Sequence, residues 1–397
     1  MKPDRENTYC HFPFKQITLK KWDSYGNLRV SNPCCQMSAA TGKNLMIPNI
    51  SEKNPDEIFN SDSFDKLRYD LINGIKNHNC KVCWDMEKGG LRSFRLDSFN
   101  KHDSEEKKLI QIDFTTSNLC NLRCRMCFPD CSHSLMIDEK KLSELNLKEK
   151  YQKSIFGDYS KKVVNNQNIN SKQFEWMLNN TDKISILSCS GGEPFYDKKV
   201  LFLLKKFIED GTSKNTILQF HTNATLFTDE IVEINNQFKS VSHTFSIDGV
   251  DLVYEYIRFH NFLSLEKSVL NFLSKSKNID IIDVNLVLSS LNIFNISEFE
   301  EWVKIIFKSK NINYNINFSD VYPFNRGINI RRLPVSVLNI AKDKTKNKKV
   351  ISLIDNSIKN NQENLKLLKD EIYCLDIVRN QSYINYLDPR IIELINV

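Results

Sequence analysis

The chain has 397 residues, 41% of them hydrophobic and 26% charged, which is enough to fill a sizeable core in two domains or in one large domain with an appendage. Its 55 Lys and Arg against 49 Asp and Glu leave a formal charge of +6, too mild over so large a surface to mark a nucleic-acid partner. No apolar run approaches the roughly 18–20 residues of a membrane span, and the opening MKPDRENTYC lacks an apolar signal core, so a cytoplasmic location without a membrane partner is expected and the 11 cysteines are expected to be metal ligands or thiols rather than disulfides.

In chain order, residues 1–100 are rich in turn residues and short apolar pieces. Phe14–Leu19, Ser24-Tyr25-Gly26 and Asn27–Val30 predict a hairpin. Asn54-Pro55-Asp56 can start a helix, with Ile58, Phe64, Leu67, Leu71 and Ile75 at helical spacings before Cys80. Lys101–Lys108 is a charged linker, which suggests units at 1–100, 101–330 and 331–397. From residue 109 strands and helices alternate. The expected strands are Leu109–Phe114, Ile184–Cys189, Thr216–His221, Ser242–Ile247, Ile279–Leu288 and Ile312–Phe318. The expected helices are Lys172–Leu178, Lys198–Ile208, Thr228–Phe238, Leu265–Leu273 and Ile296–Phe307. Such alternation predicts an α/β fold with a parallel sheet. A partial six-stranded TIM-like barrel fits, as does an open doubly wound sheet. The polar stretch Asp138–Asn170 is expected to be a surface loop or a lid. Beyond residue 350, Ile354, Ile358, Leu365, Leu368, Ile372 and Leu375 suggest a helix that docks on the core.

Nine of the 11 cysteines precede residue 132. Cys120, Cys124 and Cys127 follow the first core strand at i, i+4 and i+7. A loop of this length can wrap three thiolates around one face of a 4Fe-4S cluster, leaving the fourth iron open to a ligand. Zinc is the alternative, although zinc sites usually join two separated cysteine pairs.

This Cys-x3-Cys-x2-Cys resembles the signature of the radical SAM superfamily. Ser190-Gly191-Gly192-Glu193-Pro194, after the second core strand, is similar to that family's GGEP motif. The resemblance implies a partial barrel and a reaction in which S-adenosylmethionine is cleaved reductively to a 5′-deoxyadenosyl radical, which takes hydrogen from a substrate. It implies that Glu193, with Gly191, Gly192 and Pro194, holds the SAM amino group, with the two glycines admitting close approach of the backbone to the ligand. It further implies that Ser246 meets the ribose, that Arg258 meets the carboxylate, and that Met126 packs on adenine where relatives often carry an aromatic residue. Asn285 and Asn292 fit the pattern less specifically.

Cys10, the Gly26 hairpin, Pro33-Cys34-Cys35 and Cys80-Lys81-Val82-Cys83-Trp84 resemble a SPASM/twitch auxiliary-cluster module placed ahead of the barrel. The implied ligands of a second iron–sulfur cluster are Cys10, Cys34, Cys80 and Cys83, with Cys35 competing with Cys34. Four-cysteine zinc is the alternative here too. Cys131, Cys189 and Cys374 are expected to be small buried hydrophobes, and His133, His221, His243 and His260 to be hydrogen-bonded residues rather than acids or bases. The resemblance implies a peptide or protein substrate, with a small alcohol or sugar as the alternative, and an electron donor such as flavodoxin or ferredoxin. A non-enzymatic zinc protein is the competing class.

Overall fold

A computed structural model describes residues 8–22, 28–34, 36–37, 45, 47, 50–90, 92–102, 106–156, 169–322, 324 and 326–396. The expected turn at Ser24–Gly26, Cys35, and residues 157–168 of the polar stretch lie outside the described residues.

The chain is a mixed α/β protein built on one sheet. Its strands are β1 (Gln16–Trp22), β2 (Leu28–Asn32), β3 (Gln111–Phe114), β4 (Ile186–Cys189), β5 (Ile217–Thr222), β6 (Ser240–Val241), β7 (Thr244–Ser246), β8 (Ile282–Leu288) and β9 (Tyr314–Asp320). They pair in the order β2-β1-β3-β4-β5-β7-β8-β9, with the short β6 also on β5. Only β1 and β2 are antiparallel; from β1 to β9 the path is parallel throughout. Chain order and spatial order therefore run together without reversal. A doubly wound sheet reverses at a switch point, so that expectation is set aside. Monotonic winding is the order of a barrel, although among the described residues the path ends at β2 and β9.

All six expected core strands form, displaced by one to three residues at their ends. A seventh parallel strand, β1, joins them from upstream of the expected unit boundary at 100, in register Thr18 to Asp113 and Leu19 to Phe114. Alternation explains the two faces. Ile17, Leu19, Ile112, Phe114, Leu187, Leu218, Phe220, Phe245, Val284 and Leu286 point one way and are buried against Leu203, Phe207, Leu265, Phe272, Phe299 and Val303 of the connecting helices. The opposite face is polar. Thr18, Asp113, Ser188 and Gln219 lie in one row across β1, β3, β4 and β5. Thr244, Asp283 and Asn315 form a second row and Ser246, Asn285 and Asn317 a third, across β7, β8 and β9.

His243 belongs to the buried core. Its Nδ1 accepts the Phe220 N–H at 3.1 Å, its Nε2 lies 2.8 Å from Asn235 Oδ1, and Phe220 stacks on it at 5.6 Å. Burial pushes its pKa from 6.5 down to about 3. The unfolded chain thus binds a proton below pH 6.5 that the folded chain refuses. Stability is present above that pH and falls as pH drops towards about 3, by about 1.4 kcal/mol per unit. Urea midpoints at pH 7 and pH 5 are expected to differ by about 2 kcal/mol from this group alone. His243→Gln should flatten the slope; an unchanged slope would contradict the assignment.

The first half of the polar stretch is helical rather than a loop. Helices Met136–Glu144 and Lys148–Phe156 fold back on the C-terminal helix Leu365–Arg379. Leu142, Tyr151 and Ile155 meet Cys374, Leu375 and Val378 in a separate small core. The expected docking helix is two helices, Lys348–Lys359 and Leu365–Arg379, interrupted at Asn360 and Asn361. Among the described residues no helix is long and apolar enough to cross a membrane.

Candidate functional site

Because the core strands are parallel, their C-terminal ends share one edge, and the loops carrying the sequence motifs emerge there. The cysteine loop follows β3. Cys120 and Cys124 are buried and pack around Leu122, with Cys127 partly buried beside them. His133 holds the loop from below: the Cys120 N–H donates to its Nδ1 at 3.1 Å, and its own N–H donates to Asn118 O at 2.8 Å. The Ser132 hydroxyl donates to Leu122 O and that of Ser134 to Cys120 O, both at 2.6 Å.

All three thiols are pushed up in pKa. For Cys120 burial dominates, followed by Cys124. For Cys124 burial raises the value to about 11, with Arg258 opposing. For Cys127 a hydrogen bond with Cys131 comes first, then burial. Cys124 and Cys127 raise Cys120, and Cys127 raises Cys124, so these sulfurs hold thiolate charge poorly by themselves and suit a cationic metal cluster. The donor set therefore fits such a group. Among the described residues no three His, Cys, Asp or Glu side chains converge on a single metal ion; a four-iron cube spreads its thiolates over separate irons.

The loop is also tied to the far end of the chain, which the sequence did not signal. Arg125, fully buried between two of the cysteines, pairs with Asp376 of the C-terminal helix and bonds Gln381 Oε1 at 2.9 Å. Its guanidinium lies 3.6 Å over the Tyr256 ring, and the Tyr256 hydroxyl donates to Asp376 at 2.8 Å. Arg123 and Arg379 share Asp138 at 2.9 and 2.7 Å. Asp376→Ala would strand a buried guanidinium and is expected to cost about 3–5 kcal/mol. Urea unfolding checks this, and the double variant Arg125→Met/Asp376→Leu should recover part of the loss.

The segment Gly191–Pro194 follows β4 and lies against the cysteine loop. The Glu193 N–H donates to Leu119 O at 2.7 Å, and the Gly192 N–H to Ser117 O at 3.3 Å. The two glycines are also packed against protein. A Cβ on Gly192 would lie 2.0 Å from Leu119 O, and one on Gly191, whose φ is +125°, 2.4 Å from Thr115 Cγ2. Both glycines thus admit the close approach of the neighbouring loop. The Glu193 carboxyl is buried, accepting from Phe195 N–H at 3.1 Å, Thr222 Oγ1 at 2.8 Å and Asn223 N–H at 2.7 Å. Burial nonetheless raises its pKa to about 7. Asn223, directly after β5, reaches towards Cys120 Sγ at 3.9 Å. A carboxylate thus stands beside the thiols with donors but, among the described residues, no ion-paired cation.

The remaining expected residues fall on the same edge. Ser246 ends β7 beside Asn285 of β8, whose Oδ1 is buried without a partner. Met126 packs against the main core. Asn292 is a structural pin, donating to Asp248 O and Val287 O and accepting from the Ser289 N–H at 2.8 Å. Arg258 is turned inward, pairing with Asp248 at 2.6 Å and donating to Cys124 Sγ at 3.6 Å. Helix Asp251–Arg258, which carries it, was not anticipated.

The N-terminal cysteines gather elsewhere. Cys10, Cys34, Cys80 and Cys83 line one cavity with Phe12 and Trp84. Burial raises the thiol of Cys10 to about 12 and those of Cys80 and Cys83 upward as well, with Cys10 and Cys83 adding to the effect at Cys80. Cys80 precedes helix Lys81–Lys88 and Cys83 lies in its first turn, which sets the two on one side. Arg95 fastens this corner, pairing with Glu87 at 2.7 Å and bonding Tyr9 O at 2.9 Å. Cys10 precedes β1, and Cys34 follows the antiparallel β2, whose Asn32 lies level with Thr18. This cavity is therefore at the N-terminal edge of the sheet, opposite the Cys120 loop. Strands of this length place roughly 20 Å between the edges.

No family model matches the chain, and comparison with curated proteins finds no match. Similar solved structures include SuiB of Streptococcus suis bound to S-adenosylmethionine, 14% identical with a TM-score of 0.34, covering 73% of this chain and 52% of that one. A second SuiB structure is 16% identical with a TM-score of 0.38, covering 83% and 62%. Native anSMEcpe with bound AdoMet and Cp18Cys peptide is 14% identical with a TM-score of 0.34, covering 64% and 62%. The chain spans 52% and 62% of the length of the two SuiB chains. At TM-scores this low the likenesses assign no function to the chain.

Proposed function

We propose that the chain is a radical SAM enzyme with a partial-barrel core. Cys120, Cys124 and Cys127 would hold a 4Fe-4S cluster, and Glu193 would receive the ammonium of S-adenosylmethionine. The observation that carries this reading is the hydrogen-bonded apposition of the cysteine loop and the Gly191–Pro194 segment, which sets the buried Glu193 carboxylate beside the Cys120 thiol. Bound there, the cluster would supply one electron for cleavage of S-adenosylmethionine to methionine and a 5′-deoxyadenosyl radical that takes hydrogen from a substrate. The chain's own part is to orient S-adenosylmethionine by its ammonium at Glu193, flank it with Ser246 and Met126, and keep water from the thiols by burial.

Cys10, Cys34, Cys80 and Cys83 would hold a second iron–sulfur cluster at the other edge of the sheet, and a flavodoxin or ferredoxin would donate the electrons. The polar face between the two edges is rich in carboxamides: Gln219, Asn285, Asn315 and Asn317. Side-chain amides pair donor to acceptor with peptide groups, which favours a peptide or protein substrate over an alcohol or sugar. The test is anaerobic reconstitution with iron and sulfide, then dithionite and S-adenosylmethionine. Formation of 5′-deoxyadenosine is expected. A colourless protein carrying zinc, or a loaded protein that forms none, would sink the proposal.

A further inference from the structure

Arg258 ends its helix, and Phe259 after it takes a left-handed φ of +55°, which turns the chain away. The guanidinium is buried beneath the cysteine loop. Its Nη2 meets Asp248 Oδ2 at 2.6 Å and its Nη1 meets Cys124 Sγ at 3.6 Å. Asp248 is held in turn: its Oδ1 accepts the Val287 N–H at 2.8 Å and its carbonyl oxygen accepts from Asn292 at 3.1 Å. The pair is thus fixed by β8 and the loop after it. Of the three guanidinium nitrogens only Nε is without a partner.

A guanidinium so placed acts on the sulfur before any sulfonium arrives. Hydrogen bonds and positive charge at a ligating sulfur favour the reduced, more negative form of an iron–sulfur cluster. We propose that Arg258 is a positioning residue that raises the reduction potential of the cluster at Cys120, Cys124 and Cys127, and that Asp248 moderates it by neutralising part of its charge. This rests on the cluster reading above. The step is the gain of one electron by the oxidised cluster from an external one-electron donor; no bond forms or breaks and no proton moves.

The two members of the pair then act in opposite directions, which a merely structural role would not produce. In an anaerobic dithionite titration followed by electron paramagnetic resonance, Arg258→Met should make reduction about tenfold less favourable, a downward shift of about 59 mV. Asp248→Asn, whose side-chain oxygen can still accept the Val287 N–H, should shift the potential upward. Arg258→Lys keeps the charge but not the fork that spans both partners; it should fall between wild type and Arg258→Met, and it carries the comparison if the latter loads poorly. Affinity for S-adenosylmethionine is read beside the potential, by spectral titration of the oxidised loaded protein. An unchanged potential with affinity weakened about tenfold or more would overturn the proposal and make Arg258 the carboxylate ligand, acting through Nε. Shifts of the same sign in Arg258→Met and Asp248→Asn would also overturn it. A wild-type protein that takes up no iron and sulfide overturns the cluster reading itself, and is told apart from both by its metal content.

Discussion

Cys124→Ala is expected to remove the S-adenosylmethionine-cleaving activity by more than about a hundredfold, since loss of a ligand exceeds the usual 10–100-fold cost of losing its supporting partner. Cys124 is buried, sits between Cys120 and the Arg258–Asp248 pair, and presents its sulfur to Arg258. Two remaining thiolates would leave a second iron without protein ligation, and iron content should fall with activity. The fold should survive, because the loop is held by groups other than that sulfur: the Arg125 N–H on Ile257 O at 2.7 Å, the buried Arg125–Asp376 pair, and His133. Cys374→Ala is the control. Its sulfur is packed between helices with Leu142 and Tyr151; trimming it should cost about 1 kcal/mol of stability and leave iron content unchanged. Iron and sulfide assays on the two variants check both halves, and equal metal content would contradict the assignment.

The second large effect is expected at Gly192. Nothing about its backbone alone forbids a side chain, but an added Cβ would lie 2.0 Å from Leu119 O and 2.6 Å from the Leu119 carbonyl carbon. These are backbone atoms of the cysteine loop and cannot swing aside as a side-chain tip can. Gly192→Ala should therefore cost about 3 kcal/mol or more, with the Glu193 N–H to Leu119 O bond lost. Gly90 calibrates the measurement. Its φ is +73° with open space around the added carbon, so Gly90→Ala should cost only about 1 kcal/mol, for the left-handed backbone. Urea midpoints that fail to separate the two variants would contradict the packing argument.

Much of the core was legible because its signal is local. Strands such as Ile282–Leu288 show period-2 burial, and helices such as Ile296–Ser309 carry apolar residues on one face. The cysteine triple and the Gly-Gly-Glu-Pro segment were visible as spacings, and strand order then brought them to one edge. What escaped depends on partners distant in the chain. The buried apolar residues of helices Met136–Glu144 and Lys148–Phe156 are Leu142, Tyr151 and Ile155 amid lysines and glutamates, a thin stripe that matters once Leu375 and Val378 cover it. Gln16–Trp22 read as half of a hairpin, and nothing in it announces pairing with Gln111–Phe114. Arg125 and Asp376 are 251 positions apart, so their bond has no sequence trace. The packing of Gly191 and Gly192 on Thr115 and Leu119 was hidden for the same reason: a glycine shows that something comes close, but not which part of the chain does so.

The account stands on an iron at the Cys120, Cys124 and Cys127 site that keeps a position free for a sulfonium. The most direct measurement is electron paramagnetic resonance of the reduced, iron-loaded protein before and after addition of S-adenosylmethionine, with Cys124→Ala alongside. The signal is expected to change on addition in the wild type and to show no such response in the variant. A fully loaded wild-type protein whose signal is the same with and without S-adenosylmethionine would contradict the account.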